Sequence, residues 1–108
     1  MLKVLKVMPG FVFNKKTMVM IDRKTPWGNP YIIGLDGDRN DVVIKHTNWL
    51  RKWVAYKEEE VHRIGIRIYS NKWVIENIEQ LKGKCPVCWC VPESCHGDIL
   101  LMLANIGY

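Results

Sequence analysis

The apolar positions divide the chain into short alternating runs and longer stretches of helical spacing. Residues 3–8, KVLKVM, hold Val4, Leu5 and Val7 in a β-prone run that Pro9 and Gly10 close, which predicts a first strand. In residues 17–22, TMVMID, Met18 and Met20 share one face and Val19 and Ile21 the other, as in a second strand. FVFNKK between them reads as a hairpin or a connecting loop. Residues 23–39 carry Pro26 and Pro30 with Gly28, Gly34 and Gly37, so regular helix is excluded and a long structured loop is expected. A loop of this length in a small domain is a binding candidate on length alone.

From Asp41 the period changes. Val42, Trp49, Trp53 and Tyr56 fall on one helical stripe, with Val43, Leu50 and Val54 beside it, which predicts a helix of about four turns. Asp38 or Asn40 can cap it, and Asp41 places negative charge in its first turn. Residues 58–71 are ambiguous: Ile64, Ile66 and Ile68 alternate like a strand, while Gly65 weakens either assignment. Asn71 can cap a helix over residues 72–81 that Gly83 ends. CPVCW reads as a short strand, and Ile99, Leu100, Leu103 and Ile106 define a last helix beginning near Cys95.

A length of 108 residues suits one domain, 1–108, and strands interleaved with helices suggest an α/β or α+β domain of two or three layers. No apolar run approaches the ~18 residues of a membrane span, and the start MLKVLKVMPG lacks the pattern of a signal peptide, so a cytoplasmic protein without membrane partners is expected. In that compartment its four cysteines are expected reduced, metal-bound or reactive rather than paired. Sixteen basic residues against eleven acidic ones leave a net charge of +5, which favours polyanions or phosphorylated ligands over long range. The positive residues are scattered, so a dedicated nucleic-acid track is disfavoured.

The chemistry concentrates in CWCVPESCHGD, residues 88–98. On a strand Cys88 and Cys90 point the same way and Trp89 the other. Pro92 stops the strand, and Ser94 can cap the last helix, leaving Cys95, His96 and Gly97 in a first turn whose unsatisfied amides attract an anion. Four readings compete. In a ligand or catalytic pocket, Cys90 or Cys95 serves as thiol nucleophile or hydrogen-bonding group, His96 shuttles a proton, and Asp98 orients His96 or accepts from a sugar hydroxyl. In a zinc site, Cys88, Cys90, Cys95 and His96 fill a tetrahedron, but the spacing is not that of paired CxxC knuckles, so zinc ranks below the pocket. A Cys90–Cys95 disulfide is within reach but disfavoured in a reducing compartment. Finally, Cys85 and Cys88 can be plain core residues. A second constellation lies in residues 23–30: Gly28 permits close backbone approach, Asn29 supplies an amide, Trp27 a stacking face, and Arg23 with Arg39 can grip phosphate. The alternative for Trp27 is a core cover over a rigid turn.

TPWGNPY and CWCVPESCHGD, with LLMLAN following, resemble an uncharacterised family of phages and bacteria, the domain of unknown function catalogued as four-three-two-six. The likeness covers residues 23–105 through Pro26 to Tyr31, Gly37 to Arg39, Gly83 with Lys84, and Cys88 to Asp98. Tyr31 stands where Phe is commoner, and Cys85 and Pro86 where the family pattern has Asp and Leu. A strand followed by Cys, Pro and a Cys-His pair at a helix start is also similar to a second uncharacterised family, of Rossmann-like domains. That likeness implies a small Rossmann-like α/β domain with a short, mostly parallel sheet and flanking helices.

The leading expectation is therefore one pocket, formed by the PWGNP loop and the CWCxPxxCHGD loop, for a nucleotide-like or phosphorylated small molecule. Arg23, Trp27, Gly28, Asn29, Arg39 and Gly97 would bind it; Cys90, Cys95, His96 and Asp98 would act in any glycosidic or phosphate-ester reaction. The rivals are a zinc-stabilised nucleic-acid-binding module and a ligand-free viral or bacterial interaction domain presenting Trp27 and Trp89.

Overall fold

The computed structural model describes residues 3–89 and 95–107. Its elements run β1 (Leu5–Lys6), β2 (Met18–Met20), α1 (Arg39–Tyr56), β3 (Val61–Ile64), β4 (Arg67–Ser70), α2 (Asn71–Glu76), a 3₁₀ turn (Ile78–Leu81), β5 (Cys85–Cys88) and α3 (Gly97–Asn105). It is a mixed α/β arrangement with a short parallel sheet. No helix among the described residues is long and apolar enough to cross a membrane.

The hairpin option for β1 and β2 is not taken. Both strands instead pair in parallel with β5, which lies between them in the order β1-β5-β2. β5 is CPVC, with Pro86, Val87 and Cys88 buried, and being covered on both sides suits so apolar a segment. A proline in a central strand removes a ladder donor. Here the amides of Cys85 and Ile21 bond across to β2 and β5 respectively, so position 86 faces the β1 side. β1 begins its register only at Leu5↔Val87, one residue beyond Pro86.

Helix α1 is longer than its apolar stripe implied, 18 residues from Arg39. Asp38 caps it: its carboxylate accepts from the Asp41 amide while the Asp41 carboxylate accepts from the Asp38 amide, a reciprocal box. Trp49 and Leu50 are buried, Trp53 is half-buried, and Tyr56 is exposed. The ambiguous segment resolves into an antiparallel hairpin, β3 with β4, which turns at Gly65 in the left-handed region. That turn throws Ile66 into solvent and leaves Ile68 exposed, so the isoleucine alternation did not mark a buried face.

The helix expected over residues 72–81 divides into α2 and the 3₁₀ turn. Its cap is Ser70 rather than Asn71, because Asn71 is drawn fully inside. There its Nδ2 donates to the carbonyls of Trp49 and Glu58, and its Oδ1 accepts from the Glu60 amide, tying α1, β3 and α2 together. Leu100 and Leu103 of α3 pack into the core with Val4, Ile21, Trp49, Val74 and Leu81, while Ile106 lies outside. Gly97 is needed for that docking, since a Cβ there would stand 2.7 Å from Ile21 Cδ1 and 2.9 Å from Val4 Cγ2.

Candidate functional site

The strands β2 and β5 run in parallel, so their carboxyl ends lie side by side. Beyond the end of β2 come Ile21, Asp22, Arg23 and Lys24; beyond β5 comes Trp89. A cavity of about 280 Å³ opens there. Its walls are Asp22, Arg23 and Lys24 from the β2 end and Cys88 with Trp89 from the β5 end. Cys95 and His96 precede α3 on another side, and Asn29, Ile33, Arg39, Val42 and Val43 close it from the long loop and the first turns of α1. The glycine-bearing loop and the thiol-imidazole corner thus border one concavity.

The two loops are held by identifiable bonds. Asn29 is buried, its Nδ2 donating to the Val42 carbonyl and its Oδ1 accepting from the Tyr31 amide, so the loop is pinned to α1. One Arg23 Nη donates to the Tyr31 carbonyl at 2.9 Å. His96 Nε2 lies 2.7 Å from the Ile21 carbonyl. A carbonyl only accepts, so Nε2 carries the proton, and in the neutral ring Nδ1 is the bare nitrogen. Nδ1 lies 3.7 Å from Cys95 Sγ, which also accepts from the Gly97 amide at 3.3 Å and stands 2.8 Å from Cys88 Sγ.

Charge around the cavity is unbalanced. Arg23, Lys24 and Arg39 are cationic, Asp22 is the anionic neighbour, and among the described residues none of the three cations has a carboxylate within 4.0 Å. Asp22 is occupied locally, accepting from the Lys24 amide and from Trp89 Nε1. Trp89 is 60% exposed and so presents an open ring at the rim.

Several expected site residues are placed elsewhere. Trp27 is buried in the core, edge-on to Trp73 with centroids 4.8 Å apart, so the core-cover alternative holds for it. That also removes it as a face offered to a protein partner. Gly28 does permit close approach, but of its own turn: a Cβ would meet Arg23 Cα and Asp22 O, both at 2.8 Å. Gly97 contributes packing and an amide to Cys95 rather than cavity lining. Asp98 is exposed and does not line the cavity, and the partner that orients His96 is the Ile21 carbonyl. Cys90, the Ser94 cap and the Cys90–Cys95 pairing lie outside the described residues. Among the described residues no group of three or more metal-ligating side chains is assembled.

One residue that the sequence reading missed is His46. It lies fully inside α1's packed face, edge-on to His96, and neither ring nitrogen has a hydrogen-bond partner among the described residues. Burial first, and His96 second, hold its pKa well below the ordinary histidine range. The signal was present, since position 46 falls four residues after Val42 and three before Trp49, on the buried stripe.

Comparison with known proteins bears on this geometry. Residues 11–106 match the model of a family described as "Domain of unknown function (DUF4326)". The chain is also 30% identical over 87 residues to the "Uncharacterized 12.4 kDa protein in nrdA-td intergenic region" of Enterobacteria phage T4, covering 81% of this chain and 67% of the relative. No solved structure matches the chain.

Proposed function

The chain belongs to the DUF4326 family, and since that description names no activity we propose a function from the cavity: binding of a nucleotide-like or phosphorylated small molecule. The observation that carries the proposal is the meeting, around one cavity of about 280 Å³, of an exposed indole and three cations that have no carboxylate partner among the described residues. Arg23 and Arg39 supply planar donor forks for phosphate oxygens, and Trp89 supplies a stacking face for a base or sugar. Ligand pockets commonly run from about 300 to 1,000 Å³, so this one suits a mononucleotide or a sugar phosphate rather than a dinucleotide.

The position supports a Rossmann-like reading as well, because ligands of open α/β sheets sit beyond the carboxyl ends of parallel strands. In this reading the protein works in the cytoplasm, the host's where it is carried by a phage. Catalysis, if the ligand is turned over, would fall to Cys95 and His96, which reach the cavity while Asp98 does not.

The test is a thermal-shift panel of nucleoside mono- and diphosphates, ADP-ribose, sugar phosphates and inorganic phosphate. A ligand at 100 times its Kd stabilises the native state by about 2.7 kcal/mol. At least one phosphorylated organic compound is expected to raise the melting temperature of the parent protein and to lose that effect in Arg39→Ala. A flat panel, or shifts that survive both Arg39→Ala and Arg23→Ala, would refute the proposal.

A further inference from the structure

Cys88 ends β5 and Cys95 stands just ahead of α3, and their sulfur atoms are 2.8 Å apart. Packed carbon atoms already keep about 3.5–4.0 Å between them, and sulfur is the larger atom. Two thiolates on one tetrahedral zinc, each at about 2.3 Å from the metal, would be held roughly 3.7 Å apart. A disulfide bond spans about 2.05 Å. The observed contact is shorter than packing or a shared zinc would set, and either thiol can donate to the other across it. We propose that Cys88 and Cys95 form a reversible thiol–disulfide pair in the cavity wall, an oxidative modification site for a small hydroperoxide.

Three further features support this. Both side chains are at least 98% buried, yet both line the cavity, which gives a small oxidant a route that a bulky one lacks. The Gly97 amide at the start of α3 points at Cys95 Sγ, and an amide donor at a helix N-terminus favours the thiolate. His96, with its proton fixed on Nε2 by the Ile21 carbonyl, turns its basic Nδ1 to the same sulfur.

The chemistry closes without any other reagent. His96 Nδ1 takes the Cys95 proton, and the thiolate attacks one peroxide oxygen. An S–O bond forms as the O–O bond breaks, and the departing hydroxide leaves as water with the proton held by His96. Cys88 Sγ then attacks the sulfenic acid on Cys95: the S–S bond forms, the S–O bond breaks, and a second water leaves with the Cys88 proton. Two thiols and one hydrogen peroxide give one disulfide and two waters, the sulfurs being oxidised and the peroxide reduced. None of this requires the nucleotide reading, and the pairing is measured without that ligand.

The experiment treats the reduced full chain with one equivalent of hydrogen peroxide, alkylates remaining thiols after denaturation, and digests without reductant. Chymotrypsin cutting after Trp89 and a glutamate-specific protease cutting after Glu93 separate Cys88, Cys90 and Cys95. The expected product is a fragment ending at Trp89 joined to one containing Cys95, released by dithiothreitol and still formed in Cys85→Ser. A link through Cys90, full alkylation of Cys88 and Cys95 after peroxide, or stoichiometric zinc that protects both thiols would each overturn the assignment. Because the mapping uses the parent sequence and a variant away from the pair, poor folding of Cys88→Ser would not obscure it.

Discussion

The imidazoles of His46 and His96 meet edge to face, their centroids 5.2 Å apart and their planes inclined by 77°. One ring is anchored to a backbone carbonyl, and the other is enclosed with neither nitrogen hydrogen-bonded to any described residue. The anchored ring reaches the cavity; the enclosed one backs it from α1. A buried polar ring without partners costs about 1–3 kcal/mol relative to a satisfied one, and here the second histidine also opposes its charging.

The first prediction concerns that ring. Its folded pKa is depressed below the roughly 6.5 of an unfolded histidine, so in acid the unfolded chain binds the extra proton. Stability is therefore full above about pH 6.5 and falls as the pH drops below it towards the folded pKa. Urea unfolding between pH 7.5 and 5 should show that decline, as should a loss of part of it in His46→Leu. At neutral pH the variant should stay within about 1 kcal/mol of the parent, because an unsatisfied polar group gives way to an apolar one of similar volume. A neutral-pH loss above about 3 kcal/mol would mean that the ring makes bonds the structure does not contain.

Gly28 supports a second prediction. The expected close approach is real, but the approaching atoms are backbone, Arg23 Cα and Asp22 O, which cannot rotate away. Gly28→Ala should therefore cost about 1–3 kcal/mol, the usual range for overpacking. It should also shift Arg23 and so weaken any phosphorylated ligand found by the thermal-shift panel. Equal melting temperatures for parent and variant would show that the turn opens at no cost.

How much of this was legible in the sequence differs by element. Helix α1 and Asp38 as one of its two candidate caps were readable because a long 3.6-residue period and an N-cap side chain are local properties, whereas the return bond from Asp41 was read only as first-turn charge. The parallel order β1-β5-β2 was not, since pairing joins segments far apart in the chain, and only the late start of β1 makes Pro86 tolerable in a central strand. Of the residues that chemistry alone singled out, Arg23, Asn29, Arg39, Cys95 and His96 border the cavity. Asp22, Lys24 and Trp89 were passed over as cavity walls, because what puts them there is the pairing of β2 with β5, a contact between segments about 67 residues apart. Trp27 went the other way: a loop tryptophan reads equally as a ligand face or a core cover, and only the position of Trp73 shows it to be core.

The last prediction comes from Glu60, which gathers side chains from three elements at the other end of the long loop. Its Oε1 accepts from Lys52 of α1, and its Oε2 is 2.6 Å from His62 Nε2 of β3 and 3.0 Å from the Tyr31 hydroxyl. The Lys52 hydrogen bond, followed by those of His62 and Tyr31, lowers the Glu60 pKa to about 2 despite partial burial. Burial and then the same carboxylate push the Tyr31 hydroxyl upward, so it remains a donor throughout the neutral range. An unfolded glutamate titrates near 4.3, so the contribution of Glu60 is complete above about that pH and disappears as the pH falls towards 2. Because the Lys52 and Glu60 side chains are 43% and 29% exposed, solvent screens the cluster, and Glu60→Gln should cost only about 1 kcal/mol at pH 7. The sharper readout is the acid limb of the stability curve, measured by urea unfolding at a series of pH values. There the parent should lose stability between about pH 4.3 and 2 more steeply than Glu60→Gln, and parallel curves would show that Glu60 does not anchor Tyr31 and its loop.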